Sequence, residues 1–96
     1  MWRLDVSSEA EVEVFEAALR YEREQEGLGV RFEADLNRVF ARLSENPSQF
    51  PVIEAEARRA LLRRFPYGVF FTINDDAVLV LAVLHLHRHP ESWKRA

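Results

Sequence analysis

The apolar positions near the amino end predict a short strand followed by a helix. Trp2 to Val6 alternates weakly between apolar and polar residues, a pattern typical of a strand. Ser8 and Glu11 have the spacing of a capping box, which predicts that a helix begins at Ser8 and runs to about Glu26. Apolar residues recur along this helix at helical spacing and form a predicted buried stripe of Val12, Phe15, Ala18 and Leu19.

A second helix is predicted over Val30–Glu45, after a turn at Gly27-Leu28-Gly29 that closes the first. Its apolar residues have the cleanest helical period in the chain: Phe32, Leu36, Val39, Phe40 and Leu43. Asn46-Pro47 ends the helix, and the short link between the helices favours an antiparallel αα-hairpin. Pro47–Ala57 contains two prolines and no period, so it predicts a surface loop.

The remaining chain has the pattern of three strands, predicted over Arg58–Phe65, Tyr67–Asn74 and Ala77–His87. Asn74-Asp75-Asp76 forms a polar turn between the last two. In the middle strand the core face is predicted to carry Tyr67, Val69, Phe71 and Ile73. The element order is therefore βααβββ. It predicts an α+β fold in which the helical hairpin packs on one face of a small twisted antiparallel sheet.

The last strand is apolar at eight consecutive positions, Ala77 to Leu84, and therefore requires cover on both faces. One alternating set meets the helices, either Val78, Val80, Ala82 and Leu84 or Leu79, Leu81 and Val83. The opposite set must meet something else. The candidates are the C-terminal tail, a second copy of the chain, or a different protein.

Composition and charge narrow the class of protein. A chain of 96 residues with three Gly and four Pro predicts one globular domain over residues 1–96. The absence of Cys excludes disulfides and thiolate chemistry, and it fits the cytoplasm. No apolar run is long enough to span a bilayer, so we expect no membrane association. Residues 1–50 carry eleven acids and six bases, whereas residues 51–96 carry five acids and seven bases. Any surface for a polyanion is expected in the second half.

Three histidines at alternate positions, His85, His87 and His89, end the last strand. Strand geometry would place them on one face, about 7 Å apart, but no carboxylate is positioned to complete a metal site. We therefore expect no metal and no cofactor. Acid–base chemistry is a second interpretation, since His titrates near neutral pH and nearby arginines could stabilise a phosphate transition state. The third is a structural histidine with arginines facing solvent.

Trp93 lies in a polar tail after a proline, an unusual position for so large an aromatic side chain. It either packs back on the apolar strand or stacks on a ligand.

Several short strings, taken in order, extend over nearly the whole chain: Tyr21, Gly27-Leu28-Gly29-Val30-Arg31-Phe32, Asn46-Pro47, Phe50-Pro51, Arg58-Arg59, Phe65-Pro66-Tyr67, Ala82-Val83-Leu84-His85, Arg88, Pro90 and Trp93. Together they resemble the RelE/ParE superfamily of type II toxin–antitoxin toxins. The similarity is greatest to the ParE-like plasmid-stabilisation branch.

The resemblance implies a compact domain with a cognate antitoxin whose C-terminal segment wraps it and supplies the missing cover. Operator DNA would then be bound only through the antitoxin. We expect the antitoxin to contact Leu79, Leu81 and Val83.

The superfamily divides on activity, and the resemblance leaves three alternatives. ParE-like members resemble inhibitors of DNA gyrase that catalyse no reaction, and for such a target we expect contacts by Arg63 and Trp93. RelE-like members resemble ribosome-dependent mRNA endoribonucleases. If the chain is one of these, the catalytic residues would be His85, Arg64 and Arg88, although sheet lysines are missing. The third alternative is an inactive module that only binds an antitoxin.

Overall fold

The structure of the chain is a computed structural model, and it describes residues 1–88, Trp93 and Lys94. The described residues form two helices and five strands, with one turn of 3-10 helix at Pro47–Gln49. In chain order they are β1 (Arg3–Val6), α1 (Ser8–Glu24), α2 (Leu28–Glu45), β2 (Val52–Glu54), β3 (Ala57–Leu61), β4 (Tyr67–Asn74) and β5 (Ala77–His85).

The five strands form one sheet in the order β1-β5-β4-β3-β2. The α+β class and the helical hairpin on one face are confirmed, but the sheet is mixed, because β1 pairs with β5 in parallel. The segment predicted as a loop contains the extra strand β2, which pairs with β3 in antiparallel register. The two differences are connected. If each short connection reverses the direction of the chain, the last strand of the six predicted elements runs antiparallel to the first strand. The extra strand β2 makes seven elements, so the last strand runs parallel to the first.

The helical hairpin begins and turns at slightly different residues from those predicted. The N-cap of α1 is Ser7 and not Ser8: the Ser7 hydroxyl accepts a hydrogen bond from the Ala10 N–H (3.1 Å). Gly27 joins the helices with φ of 87°, a left-handed conformation that glycine adopts without steric cost. Leu28 and Gly29 already belong to α2.

The helices differ in how they bury their apolar residues. The stripe predicted for α2 is confirmed, since Phe32, Leu36, Val39 and Leu43 are buried. The stripe predicted for α1 is wrong except for Ala18, because Val12 is 54% exposed, Phe15 is 67% exposed and Leu19 is 38% exposed. The face that α1 turns to the core carries smaller residues and one tyrosine: Ala10, Val14, Ala17, Ala18 and Tyr21.

Each face of the sheet has its own apolar cluster. The helix-facing cluster includes Tyr67, Val69, Phe71 and Ile73, as the alternation in β4 predicted. The outer face carries a smaller cluster of Phe70, Ala82, Leu84, Ile53, Leu86 and Trp93. The tail therefore provides some of the cover that β5 requires, one of the three possibilities that the sequence left open.

A register shift interrupts the alternation of β5. Phe70 pairs with Ala82 but Phe71 pairs with Val80, so Leu81 has no partner in β4 and forms a bulge. Beyond the bulge the faces exchange. Val83 joins the helix-facing cluster at 1% exposure, whereas Leu79 and Leu81 are half-buried. The expectation that Leu79, Leu81 and Val83 share one accessible face is wrong, because the bulge turns Val83 under the helices.

Side chains from the start of the helical layer cover the free edge of β5 beyond β1. The Ser7 hydroxyl donates to the carbonyl of Leu81 (3.2 Å), and the Glu13 carboxylate accepts from the N–H of Val83 (2.9 Å). Main-chain groups at an unpaired edge would otherwise be open to another strand. Neither helix in the described part of the chain is long and apolar enough to cross a membrane.

Candidate functional site

The turn between β3 and β4 presents two predicted site residues, Arg63 and Arg64. Both lie beyond the end of β3 at Leu61, so they occupy a turn and not the strand that was predicted. Their main-chain N–H groups donate to the carboxylate of Asp35 on α2, at 3.1 Å from Arg63 and 2.8 Å from Arg64. The Arg38 guanidinium, one helical turn along, also donates to Asp35. The turn is therefore fixed to the helical layer while both arginines remain exposed.

Asp35 is the buried charge that holds this turn, with only 2% of its surface exposed. Burial alone would raise the pKa of Asp35. The N–H groups of Arg64 and Arg63 and the guanidinium of Arg38 outweigh burial and hold the pKa below its ordinary value. The carboxylate is therefore ionised at neutral pH and its negative charge is satisfied locally. It anchors the turn and does not exchange protons.

A cleft of about 400 Å³ opens beside this anchor, between α2 and the end of β3. Its lining combines apolar side chains with three guanidinium groups: Asp35, Arg38, Val39, Arg42, Leu61, Leu62 and Arg63. Arg42 is held in place, since it donates to the Gln49 side chain (3.0 Å) and lies 4.9 Å above the Phe50 ring. Such a lining suits an anionic group carried next to an apolar one.

The carboxyl end of β5 meets a cluster of aromatic rings. The His85 ring contacts Tyr67 edge to face, with ring centroids 5.3 Å apart. The Tyr67 hydroxyl in turn accepts a hydrogen bond from the Arg20 guanidinium. The His85 Nδ1 accepts the main-chain N–H of His87 (3.2 Å). A ring nitrogen that accepts a hydrogen bond carries no proton, so the neutral ring has its proton on Nε2.

Arg88 belongs to the same region as His85, because its charge acts on the phenol of Tyr21. The Tyr21 ring packs on Phe65 and Phe32, at centroid distances of 4.8 and 5.5 Å. Burial raises the pKa of the Tyr21 phenol, and the nearby Tyr67 phenol adds to the effect. The charges of Arg20 and Arg88 act in the opposite direction, so both guanidinium groups lie within electrostatic range of the phenol.

Apart from Val83, which is buried under the helices, the predicted site residues fall in three places. His85 and Arg88 lie at the aromatic end of β5. Arg63 and Arg64 lie on the Asp35 turn, which is joined to that end by a hydrogen bond from the Leu86 N–H to the Pro66 carbonyl (2.9 Å). The third place is the outer face of the sheet.

On that outer face Trp93 stacks on Phe70, with ring centroids 5.7 Å apart and the planes within 6°. Lys94 forms an ion pair with Glu54 of β2 (2.8 Å). Trp93 is half-buried in this contact, so packing on the sheet, the first of its two sequence interpretations, is what the structure contains. Contact of Trp93 with a target stays a prediction.

Sequence reasoning missed several residues of the site: Asp35, Arg20 and Tyr67. The sequence did indicate that Asp35 is buried, because Asp35 lies three residues after Phe32 and four before Val39, inside the apolar stripe of α2. An acidic residue at such a position must find donors within the fold.

Metal binding has no support in the described part of the chain. The rings of His85 and His87 lie 5.8 Å apart, but no group of three His, Cys, Asp or Glu residues there could hold a metal ion. His89 lies outside the described residues.

Comparisons with known proteins give one family and one fold. The family model described as the ParE toxin of the type II toxin–antitoxin system parDE matches residues 4–90. A chain in the structure of the chromosomal ParDE toxin–antitoxin system from P. aeruginosa is similar, with a TM-score of 0.78 and 16% sequence identity. The alignment covers 88% of this chain and 96% of that chain. No curated protein sequence matches.

Proposed function

Because the chain belongs to the ParE toxin family of type II toxin–antitoxin systems, we propose that it arrests growth by inhibiting DNA gyrase and that a cognate antitoxin prevents this. The family match over residues 4–90 is the observation that carries the proposal. In this proposal the chain acts in the cytoplasm as a binding protein, and it meets operator DNA only through its antitoxin.

The turn at Arg63 and Arg64 is the surface that we propose for the target. The Asp35 carboxylate fixes the main chain of the turn, so the two guanidinium groups extend from a rigid support. A preorganised pair of cations loses less conformational freedom on binding than arginines on a mobile loop. Exposed cations also increase the rate of encounter with an acidic protein surface or with DNA held by gyrase.

The state of His85 argues against the ribonuclease alternative. A general base needs an unprotonated ring nitrogen that faces the substrate. In His85 the nitrogen without a proton, Nδ1, is occupied by the His87 N–H, and the ring lies against Tyr67. This arrangement is typical of a structural histidine at a strand end.

For the antitoxin we propose the outer face of the sheet around Leu79 and Leu81. Both side chains are half-buried, and neither belongs to the cluster that Trp93 covers. Leu79 pairs with Asp5 of β1, an edge strand that an extended segment could join. Val83 supports this face from beneath but is buried under the helices.

The target is tested with purified chain and purified gyrase. Supercoiling should be inhibited and cleaved DNA should accumulate. Arg63→Glu/Arg64→Glu should reduce inhibition at least about tenfold, because reversed charge at a contact costs more than 1.4 kcal/mol. Arg31→Glu is the matched control, an exposed arginine on the helical layer that should keep full inhibition.

Induction of the chain alone in bacteria separates the three activities. Double-strand breaks with an SOS response support the gyrase proposal. Cleaved mRNA with intact DNA would contradict the gyrase proposal and favour the endoribonuclease, provided that the cleavage is lost in His85→Ala. Normal growth with retained antitoxin binding would identify an inactive module.

The antitoxin face is tested in the complex formed with the protein encoded beside this chain. Leu79→Arg should weaken the complex. Val52→Arg is the control and should not weaken it, because Val52 lies in β2, away from the proposed face, and is an apolar residue that is 50% exposed. Equal affinity of the two variants would contradict the proposed face.

A further inference from the structure

The cleft between α2 and the end of β3 brings three guanidinium groups together. Arg38 and Arg42 lie four residues apart on one face of α2, and Arg63 reaches the cleft from the turn after β3. Two positive charges at this helical spacing repel each other. A bound anion would relieve that repulsion, so the cleft favours a negatively charged ligand. We call it the α2–β3 cleft.

Each of the three arginines is held by a contact within the chain. Arg38 donates to the buried carboxylate of Asp35, and the main-chain N–H of Arg63 donates to the same carboxylate (3.1 Å). Arg42 lies 4.9 Å above the ring of Phe50. Because these contacts already restrict the three residues, they lose less conformational freedom when an anion binds than arginines on a mobile loop would lose.

The charge of the α2–β3 cleft indicates how much negative charge the ligand carries. Among the described residues that line it, three arginines and one aspartate are charged, which leaves a net charge of +2. Arg38 is paired with Asp35, whereas none of the ion pairs among the described residues involves Arg42 or Arg63. A phosphate monoester carries about −1.5 to −2 charges near neutral pH and offers three acceptor oxygens. A carboxylate or a phosphodiester carries a single negative charge, so the monoester matches the cleft best.

The rest of the α2–β3 cleft is aliphatic. Val39 and Leu62 are buried, and Leu61 is 50% exposed at the rim. The volume of about 400 Å³ is enough for a small molecule. Among the described lining residues there is no aromatic ring on which a nucleobase could stack. A short aliphatic group therefore fits this wall better than a nucleotide.

We propose that the α2–β3 cleft binds a phosphate monoester on a short aliphatic stem, with the phosphate between Arg42 and Arg63 and the stem against Leu61. Each guanidinium can donate two parallel hydrogen bonds to phosphate oxygens. A small phosphorylated molecule and a phosphorylated Ser or Thr side chain share this chemistry. The inference goes beyond the proposed function. The cleft shares Arg63 with the arginine turn, the proposed target surface of Arg63 and Arg64, but binding is measured on the chain alone and needs no gyrase.

The test titrates the full chain with propyl phosphate, butyrate and inorganic phosphate in a calorimeter. Propyl phosphate should bind at one site and at least about tenfold more tightly than butyrate, which has the same stem and a single charge. Inorganic phosphate should bind several-fold more weakly than propyl phosphate, because it leaves the aliphatic wall uncovered.

Two variants separate the phosphate contact from the stem contact. Arg42→Gln should weaken binding of both phosphates at least about tenfold, because a charged bidentate donor is lost. Leu61→Ser should remove the preference for propyl phosphate and leave the affinity for inorganic phosphate unchanged. Arg31→Gln is the matched control, an exposed arginine of α2 that does not line the cleft, and it should bind like the unsubstituted chain. If Arg42→Gln fails to fold, Arg63→Gln replaces it, since Asp35 holds Arg63 through its main chain.

Other outcomes would overturn the proposal. Absence of saturable binding would refute the site. Butyrate that binds as tightly as propyl phosphate would make a carboxylate, as on an acidic peptide, the ligand. Dimethyl phosphate that binds as tightly would point to the phosphodiester backbone of a nucleic acid. Equal loss in Arg31→Gln and Arg42→Gln would show a general attraction of anions.

A phosphothreonine peptide distinguishes the two sources of the phosphate monoester. Tighter binding than propyl phosphate, lost in the unphosphorylated peptide, would support the proposal with a phosphorylated protein as the source. Weaker binding than propyl phosphate would support it with a small phosphorylated molecule.

Discussion

Replacement of Asp35 by Asn should destabilise the chain more than any exposed substitution of the same kind. The carboxylate accepts two main-chain N–H groups and one guanidinium while almost fully buried. Asn keeps one oxygen acceptor but turns an amide NH2 toward these donors. Hydrogen bonds to a charged group contribute about 1.5–3 kcal/mol each, and an orphaned buried donor costs about 1–3 kcal/mol. We therefore expect a loss of about 2–4 kcal/mol in the free energy of unfolding.

That loss is large for a domain of this size. A chain of 96 residues has a total stability of roughly 5–14 kcal/mol. In small domains 1 kcal/mol shifts Tm by about 4–8 °C, so Asp35→Asn should lower Tm by roughly 10–30 °C. Calorimetry or circular dichroism would measure this shift.

The difference should also depend on pH in a defined direction. The folded pKa of Asp35 lies below its unfolded value of about 3.9. The stabilisation is therefore fully present above that unfolded value and is lost as pH falls through the lower folded pKa. The difference in stability between the unsubstituted chain and Asp35→Asn should be constant near neutral pH and should shrink below about pH 4.

Asp76→Asn is the control, because the Asp76 side chain is 87% exposed in the turn between β4 and β5. It should change the free energy of unfolding by less than about 0.5 kcal/mol. If Asp35→Asn is as stable as Asp76→Asn, or if its deficit persists unchanged into strong acid, the Asp35 carboxylate does not anchor the turn.

Three further substitutions test other parts of the structure. Gly29→Ala should cost about 1–3 kcal/mol in denaturant unfolding, because its Cβ would overlap the Ala18 carbonyl; an unchanged midpoint would contradict the close helix crossing. Trp93→Ala should cost about 1–2 kcal/mol through exposure of Phe70, and a greater loss of gyrase inhibition than of stability would instead support a target contact. Ultraviolet absorbance should show a phenol that titrates above the ordinary pKa of tyrosine, because burial raises the pKa of Tyr21, and Tyr21→Phe should remove that step.

The type of a segment, helix or strand, and its buried face could be predicted where the large apolar residues that set the period are also the buried residues. In α2 large apolar residues repeat at helical spacing and are buried, and in β4 they alternate and face the helices. In α1 size and burial disagree. The side against the sheet holds Ala10 and Ala17, because the helix lies close to β5, and the larger Phe15 remains outside. A period weighted by residue size therefore selected the wrong face.

The hairpin of β4 and β5 was predicted, but the extra strand β2 and the bulge in β5 could not be, for local reasons. Strand β2 has only three residues and follows Pro51, so it has too few positions to show alternation. The apolar run of β5 does not show which residues face the helices, because all eight of its positions are apolar. A bulge at Leu81 therefore leaves the sequence pattern unchanged. The bulge becomes visible only in the partners that β4 supplies.

The bulge also determines which apolar side chains of β5 lie on each face of this small sheet, and so which parts of the outer face stay accessible. Without it, Val83 would follow Leu79 and Leu81 onto the outer face, and Ala82 would face the helices. With the bulge, Ala82 and Leu84 lie on the outer face, where Trp93 covers them. Ser7 and Glu13 cover the edge of β5 beyond β1. The half of β5 near the arginine turn is therefore largely covered by the chain itself. The outer apolar surface that remains lies beside β1, at the other end of β5 from that turn. An antitoxin seated there would leave the arginines uncovered unless it also extended toward the turn. If the antitoxin and the target bind where we propose, neutralisation and target binding would depend on separate residues, and a variant at either surface should alter one without the other.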